Sequence, residues 1–554
     1  MITVNETNKH LCSGCTACVH ICPNNCISMV SDEEGFDYPK ADEDRCITCG
    51  ACDRVCPIKG GHSLSEHDIG TVAAGGYHKD AGILESSSSG GAFSLFANRI
   101  IEDGGVVCAC RLDDDQKAVH GFAETKEDLT PFKGSKYVQS GLDNIYPAVR
   151  DYLEAGRKVM FVGTPCQCAG LMSYLGKDYG NLIVCDFICH GVPSPKVFAA
   201  YIKSLAGRLG EPVDKFYFRT KERDWVSSGM QQGTVTVTGS GRRVTHFPAY
   251  NDEFMNGFLS DIMLRPSCYE CSFKYLPKDY CDVTIADFWG VHKAAPNIHN
   301  PKGTSLIMLN SEKGRNLFES VKDDFEFVWV DTKKAISNNM SVVRSSRLNS
   351  SRYNFFSDLN KKGYEYVSGK YFSAVRWAAS TAVKKGWGIA ERLIRTVLGP
   401  IVKLIRPGWS EKDWEPLMQF FKFALVGVSN SVVSYSVNVT ALLLLRPVGF
   451  EYDYIAANIM AFLISVLWSY NLNSRHVFTI KYGERRSKGK TLFRTYVSYA
   501  FSGIILNNLL GTVWIKGLGV SRFISPLLNL AVTVPTNFIL NKYWAYRRRD
   551  EQKS

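Results

Sequence analysis

Hydrophobic and polar positions fall into different rhythms along this chain. From about Tyr77, short continuous apolar runs alternate with segments of helical period. Val159–Val162 and Asn181–Ile188 predict buried strands, and Pro195–Leu205 predicts a helix opening on proline. Strands alternating with helices predict an α/β domain whose functional loops lie at strand ends. The last quarter is different. Phe423–Leu445, Tyr454–Ser474, Thr495–Ile515 and Phe523–Asn541 carry no charged residue. Each is long enough for the ~30 Å hydrocarbon core of a bilayer. Their short connections predict an all-α, four-helix transmembrane bundle.

Composition adds the partition and the surroundings. The 554 residues leave room for three or four domains. The 45% hydrophobic and 21% charged residues average over a soluble, cysteine-rich part and an apolar part. A net charge of +11 comes without any basic–aromatic stripe or nucleic-acid motif, which excludes nucleic acid as a partner. The charge gathers instead between residues 370 and 406, within the expected linker 370–412, where Lys370, Arg376, Lys384, Lys385, Arg392, Arg395, Lys403 and Arg406 face the single acid Glu391. Interleaved with apolar residues, they predict a basic amphipathic linker lying on an anionic lipid surface. Around the apolar segments, the middle loop carries Lys481, Arg485, Arg486, Lys488, Lys490 and Arg494, and the tail Arg547, Arg548 and Arg549. The other two loops hold only Arg446, Lys516 and Arg522. Positive-inside asymmetry then predicts a multi-pass protein of the cytoplasmic (inner) membrane with both termini and the redox domains cytoplasmic.

Eighteen cysteines would suit a disulfide scaffold, but Met1–His10 has no apolar signal core. In a reducing compartment they read as metal ligands or redox groups. Their spacing is specific. Cys12-x-x-Cys15-x-x-Cys18-x-x-x-Cys22-Pro23 is repeated as Cys46-x-x-Cys49-x-x-Cys52-x-x-x-Cys56-Pro57. In this two-cluster pattern the fourth cysteine of each run ligates the other cluster. One [4Fe–4S] cluster is therefore expected on Cys12, Cys15, Cys18 and Cys56, the other on Cys46, Cys49, Cys52 and Cys22. A zinc ribbon needs only four thiolates and does not call for two full runs. Residues 1–65 thus form a small α+β dicluster ferredoxin domain, with Cys26 outside the ligand pattern.

Four further cysteines stand in turn contexts: Cys166, Cys189 and the pair Cys268-x-x-Cys271. By spacing alone they fit a third Fe–S or metal site, a redox dithiol or buried structural thiols. The segments SSSSGGAF (Ser86–Phe93), GSKYVQS (Gly134–Ser140), GTPCQCAGL (Gly163–Leu171), DFICHGVPSP (Asp186–Pro195), RPSCYEC (Arg265–Cys271) and IADFWG (Ile285–Gly290) occur in this order. Together, over residues 70–345, they resemble the beta subunit of coenzyme F420 hydrogenase/dehydrogenase. The resemblance implies an α/β flavin and Fe–S domain passing electrons to or from a soluble hydride carrier or a redox partner protein. It implies a third [4Fe–4S] cluster on Cys166, Cys189, Cys268 and Cys271. It also implies that FAD or another flavin is held at Ser88, Ser89, Gly90 and Gly91, with a helix from Ala92 directing its positive end at the phosphates. Thr164 and Pro165 shape that site, and Lys136 is the catalytic candidate. The coenzyme in the family's name is not implied. Cys168, Cys185 and Cys281 depart from the pattern and read as inert buried thiols, the alternative being that they compete as ligands.

The apolar end repeats itself: Asn473-x-x-His476-x-Phe478 is echoed by Asn541-x-x-Trp544-x-Tyr546. Over residues 416–548 the layout resembles the GtrA family, which implies a link to cell-surface polysaccharide synthesis and a polyprenyl-linked glycan as partner beside the lipid bilayer. The asparagines within the spans read as interhelical hydrogen-bond formers. The expected function is a membrane-anchored iron–sulfur flavoprotein oxidoreductase. The alternatives are a GtrA-type translocation or scaffold protein with a regulatory redox portion, and an electron-relay subunit of a larger complex.

Overall fold

The computed structural model describes residues 8–59, 70–221, 234–239, 242–248, 252–276, 278–372, parts of 386–404, 411–445, 452–478, 484–521, 524–547 and 549–550. Two compact units result, residues 1–379 and 380–554. Most of the basic stretch 370–412, expected to be an amphipathic linker, lies outside the described residues.

In the first unit a hairpin, β1 (Ile27–Ser31) and β2 (Asp37–Ala41), sits between two one-turn helices, Ala17–His20 and Ala51–Arg54. The larger part is built on an eight-stranded sheet. Its strands are β3 (Val72–His78), β4 (Val106–Leu112), β5 (Ala118–Ala123), β6 (Val159–Gly163), β7 (Leu182–Phe187), β11 (Val283–Asp287), β12 (Ser305–Leu309) and β13 (Phe325–Val330), in the order β13-β3-β12-β11-β7-β6-β4-β5. The four central strands β11, β7, β6 and β4 run parallel; every other pairing is antiparallel. Burial on both faces explains the unbroken apolar runs, since β6 and β12 are buried at every position. The strand expected over Asn181–Ile188 spans Leu182–Phe187, and the helix expected over Pro195–Leu205 continues to Leu209. A second, antiparallel sheet of β8 (Val213–Thr220), β9 (Thr234–Gly239) and β10 (Arg242–Pro248) packs with helices Pro195–Leu209, Glu253–Leu259 and Arg352–Lys362.

The cysteine-rich module shares cores with this unit. Phe36 and Tyr38 of the hairpin join the aromatic core around Phe198, Tyr201 and Phe254. Ala17 and Val55 join the core of Tyr146, Ala169 and Met172. Two buried arginines fasten the joint. Arg352 forks onto the Glu34 carboxylate at 2.7 and 2.5 Å. Arg265 donates to the carbonyls of Cys12 (2.9 Å) and Asp37 (2.8 Å).

In the second unit the four uncharged stretches are helical, the fourth from Ser525 onward, within Glu411–Leu445, Asp453–Val477, Lys488–Gly517 and Ser525–Ala545. Only the first two are long and apolar enough to cross a membrane by length and composition among the described residues. The third segment carries Asn507 and Asn508 at its middle, and π-turns interrupt it at Phe501–Leu506 and Val513–Gly517. The unit is built inside out. Leu443, Leu444, Ile504 and Leu509 are exposed, whereas Ala457, Ala461, Ser465, Ser469 and Asn473, one per helical turn, are buried. Small and polar residues inside with apolar side chains outside is the arrangement that a lipid surrounding favours. The echoed asparagines both open π-turns, Asn473–Val477 and Asn541–Ala545, and both are fully buried.

Candidate redox centres

The two cysteine runs adopt one backbone path. Left-handed residues stand two and four positions after the first cysteine of each: Gly14 (φ 71°) and Thr16 (φ 65°), then Thr48 (φ 51°) and Gly50 (φ 70°). Glycine and threonine have exchanged places, so the path is dictated by the fold rather than by either residue's preference. Such alternation curls the chain until its N–H groups face inward. Thr48 N–H indeed donates to Cys46 Sγ at 3.4 Å.

Several of these thiols lie within electrostatic reach of one another. Burial pushes the Cys15 thiol up to about 12, and the like charges it feels are those of Cys12 and Cys56. Burial also pushes Cys18 well up, and the like charges it feels are those of Cys15, Cys12, Cys56 and Cys52. Among the described residues no three His, Cys, Asp or Glu side chains converge as a single metal ion needs. Cys26, outside the ligand pattern, is buried with its Sγ 3.3 Å from Cys22 Sγ. Cys49 is exposed.

The other four cysteines come from three places and meet. Cys166 lies in the first turn of helix Pro165–Leu175, directly after β6; Cys189 follows β7; Cys268 lies within the 3₁₀ turn Pro266–Glu270 and Cys271 directly follows it. β6 and β7 are parallel neighbours, so their carboxyl ends open on the same side of the sheet. All four cysteines line one cavity, whose remaining wall includes Leu11, Ser13 and Ile58 of the cysteine-rich module. Burial pushes the Cys166 and Cys268 thiols up, Cys268 to about 12, and each feels Cys189 and Cys271 as like charges. Val192 N–H donates to Cys268 Sγ at 3.4 Å, and the Thr164 hydroxyl shares a hydrogen bond with Cys166 Sγ at 3.2 Å. Lys274 is anchored on the carbonyls of Cys189 and Ser341 and lowers the cost of charge on Cys189. Thiols, sulfur-directed donors, a helix amino end and one cation suit an anionic cluster. Cys168, Cys185 and Cys281 are buried separately, beside the buried ion pair of Asp186 with Lys278.

This cavity adjoins the ferredoxin-like module through the same helix. Gly170 packs so closely on Cys15 that a Cβ there would lie 2.9 Å from Cys15 Sγ. Cys166 is one turn away on the helix that carries Gly170.

The loop Ser88–Gly91 precedes helix Ala92–Glu102, as expected. Its small residues serve packing first. A Cβ on Gly90 would lie 2.5 Å from Gly76 O and from Ser305 N, and the Gly90 N–H is already donated to Ser305 Oγ at 2.9 Å. The helix itself has no side-chain cap, and Ser94 in its first turn has a buried hydroxyl without a partner. The loop Gly134–Lys136 touches it, with Ser135 N–H donating to Ser88 Oγ at 2.9 Å. Lys136 donates to the carbonyls of Phe132 (2.8 Å) and Lys133 (2.9 Å), and burial pushes it down to about 8. Thr164 caps its helix reciprocally with Gln167, whose amide reaches Ser140 at 3.0 Å. Pro165 is the first residue of that helix and is buried.

Sequence reasoning missed Lys221, which burial pushes down to about 7 and which donates to the carbonyls of Ser89 (2.7 Å) and Leu84. Nearby, Arg219 pairs with Asp287 at 2.6 Å and Lys302 with Glu85 at 2.9 Å. It also missed the part played by Arg265, although a charged residue heading a P-x-C-x-x-C stretch was a visible signal.

Known proteins divide the chain in the same way. Residues 11–59 match the 4Fe-4S dicluster domain, residues 156–334 the C terminus of the coenzyme F420 hydrogenase/dehydrogenase beta subunit, and residues 422–546 the GtrA/DPMS transmembrane domain. The chain is similar to an F(420)H(2) dehydrogenase subunit of Methanosarcina mazei, 22% identical over 59% of this chain and 86% of that protein. It is similar to the coenzyme F420-dependent sulfite reductase of Methanocaldococcus jannaschii, 29% identical over 70% of this chain but only 60% of that protein. A Ferredoxin 7Fe of Hydrogenibacillus schlegelii is 48% identical over 42 residues, 8% of this chain and 47% of that one. Among solved structures, a chain of the F420-reducing [NiFe] hydrogenase complex from Methanosarcina barkeri aligns with a TM-score of 0.35 and 18% identity, over 54% of this chain and 91% of that chain.

Proposed function

We propose that this chain is a membrane-anchored iron–sulfur flavoprotein oxidoreductase. In this reading electrons pass between a redox partner protein and a hydride carrier through three [4Fe–4S] clusters and one flavin. The observation that carries it is the single cavity lined by Cys166, Cys189, Cys268 and Cys271 and walled by the ferredoxin-like module. A redox centre there stands beside the Cys12, Cys15, Cys18 and Cys56 set, and those of the named relatives that act as enzymes are F420-linked oxidoreductases. A bound flavin supplies the exchange between one-electron steps and hydride.

The chain's own residues have defined parts in this scheme. Cys46, Cys49, Cys52 and Cys22 hold the outer cluster, where exposed Cys49 and Ile47 offer the partner its approach. The uncapped amino end of helix Ala92–Glu102, the Ser88–Gly91 loop and Lys221 would hold the flavin phosphates. Lys136, rigid on two carbonyls and easily neutralised, holds or moves a proton beside the flavin. Thr164 and Pro165 fix the turn between the flavin and the third cluster. The helical unit anchors the chain in the cytoplasmic membrane with redox parts and both termini inside. A polyprenyl-linked glycan is the lipid-side partner proposed for it, on its resemblance alone.

Anaerobic purification in detergent followed by iron, sulfide and flavin assay tests this. About twelve irons, twelve sulfides and one flavin per chain are expected. Cys268→Ala should lose about four irons and keep the rest. About eight irons without flavin would leave only an electron relay, and the oxidoreductase reading would fail.

A further inference from the structure

Arg265 and Arg352 are the two largest fully buried side chains, each 0% exposed. A guanidinium does not give up its proton in a protein, so each places a permanent charge where charge is costly. Arg352 is compensated by the Glu34 carboxylate. Arg265 is not compensated in this way. Its donors reach the Cys12 carbonyl (2.9 Å), the Gln139 amide oxygen (3.0 Å) and the Asp37 main-chain carbonyl (2.8 Å), and Nη2 lies 3.8 Å from Cys12 Sγ. The Tyr38 ring covers the guanidinium at 4.3 Å. Each of the oxygen partners is neutral, and the sulfur belongs to an expected cluster ligand. Gly14 is fitted to this group, because a Cβ there would lie 2.9 Å from Arg265 Nη1.

A buried cation held on neutral oxygens needs an anion in contact with it, and the anion this surrounding provides is the Cys12 thiolate with the cluster it ligates. We infer that Arg265 is the built-in counter-ion of the inner cluster, and that its charge holds that cluster's reduction potential above the outer one's. This rests on the assignment of the eight ferredoxin cysteines to two [4Fe–4S] clusters. Positive charge in contact stabilises the more negative, reduced state of the inner cluster. Around the outer set, Arg54 donates to the Cys49 carbonyl at 3.0 Å, but at the exposed surface, where water screens it. One electron leaving the outer cluster oxidises it by one and reduces the inner cluster by one, and no proton moves. Arg265 is thus a positioning residue that makes the inward step downhill.

Redox titration of the full-length, anaerobically purified protein, followed by low-temperature EPR, tests the inference. Wild type should show the two ferredoxin clusters at potentials separated at least tenfold in electron distribution, 59 mV for a one-electron couple. Cys49→Ser should alter the lower-potential signal; alteration of the higher one overturns the inference. Arg265→Gln with full iron content should shift the higher potential down by tenfold or more, and Arg265→Lys should retain it. An unchanged potential in Arg265→Gln, or equal shifts in both variants, overturns it. Should Arg265→Gln not fold, the wild-type separation decides alone, and equal potentials overturn the inference. A wild type lacking the ferredoxin irons overturns the cluster assignment instead.

Discussion

Replacing Gly170 by alanine sets two ordinary effects against each other at one buried position. The residue lies inside helix Pro165–Leu175, where its backbone is helical and alanine is favoured by about 1 kcal/mol. The added Cβ, however, would meet Cys15 Cβ at 2.7 Å, Tyr146 Oη at 2.8 Å and Cys15 Sγ at 2.9 Å. None of these is the free end of a flexible chain. Cys15 is in a loop fixed by two left-handed residues, and Tyr146 is tied through its hydroxyl to the Gln167 carbonyl at 2.7 Å. Overpacking of such a site costs about 1–3 kcal/mol, and three simultaneous clashes place it in the upper part of that range. The net expectation is a loss of about 1–2 kcal/mol, accompanied by displacement of the inner cysteine loop and lost iron. Gly176→Ala is the control. Gly176 ends the same helix at φ 66° with nothing within 4 Å, so it should cost about 1 kcal/mol through backbone strain and leave iron unchanged. Anaerobic denaturant unfolding with iron analysis reads both. A Gly170→Ala protein as stable as wild type with full iron would refute the close packing of helix and cluster loop.

Three other outcomes follow from the same structure. Glu34→Gln strips the carboxylate from fully buried Arg352 and should cost about 3–5 kcal/mol, seen as a lower denaturant midpoint and faster proteolysis of the cysteine-rich module. Burial raises Asp252 from 3.8 to about 6 despite its bond from Tyr201 Oη at 2.5 Å. A raised carboxyl binds more protons in the folded state, so its contribution is full below about pH 4 and is lost as pH rises through about 6. Asp252→Asn keeps the helix cap on Met255 and should abolish that slope, gaining about 2–3 kcal/mol at pH 7 in unfolding measured against pH. In the second unit, Ala461→Leu overfills a buried position and should lower stability in detergent by about 1–3 kcal/mol, whereas Leu444→Ala on the exposed face should change it by less than about 0.5 kcal/mol.

What the sequence made legible was local. Ligand spacing within the two cysteine runs, the alternation that gives β6 and β7, and the helix beginning at Ala92 all depend on residues a few positions apart. The third thiol set was legible as motifs but not as a cavity, because Cys166 and Cys268 meet only when β6, β7 and the Pro266–Glu270 turn are assembled. Arg265 was hidden for the same reason, since its partners Cys12 and Gln139 are 253 and 126 residues away. Lys221 meets Ser89 across 132 residues. Gly90 answers to two demands at once. Small residues before a helix fit a phosphate loop, yet here the close approach of Gly76 and Ser305 already demands them. The asparagine echo at Asn473 and Asn541 was visible, but the π-turns it opens were not, because a π-turn has no propensity signature distinct from the helix around it.

The two arginine clamps also determine how electrons can travel in time. A ferredoxin arm that swings between donor and acceptor works by diffusion, and thicker solvent slows it. Here Arg352 and Arg265 weld the arm to the body through Glu34, Cys12 and Asp37. Movement of charge between the cysteine sets should therefore proceed through fixed atoms, and added glycerol should leave its rate unchanged. Only the docking of outside carriers should feel the viscosity of the medium.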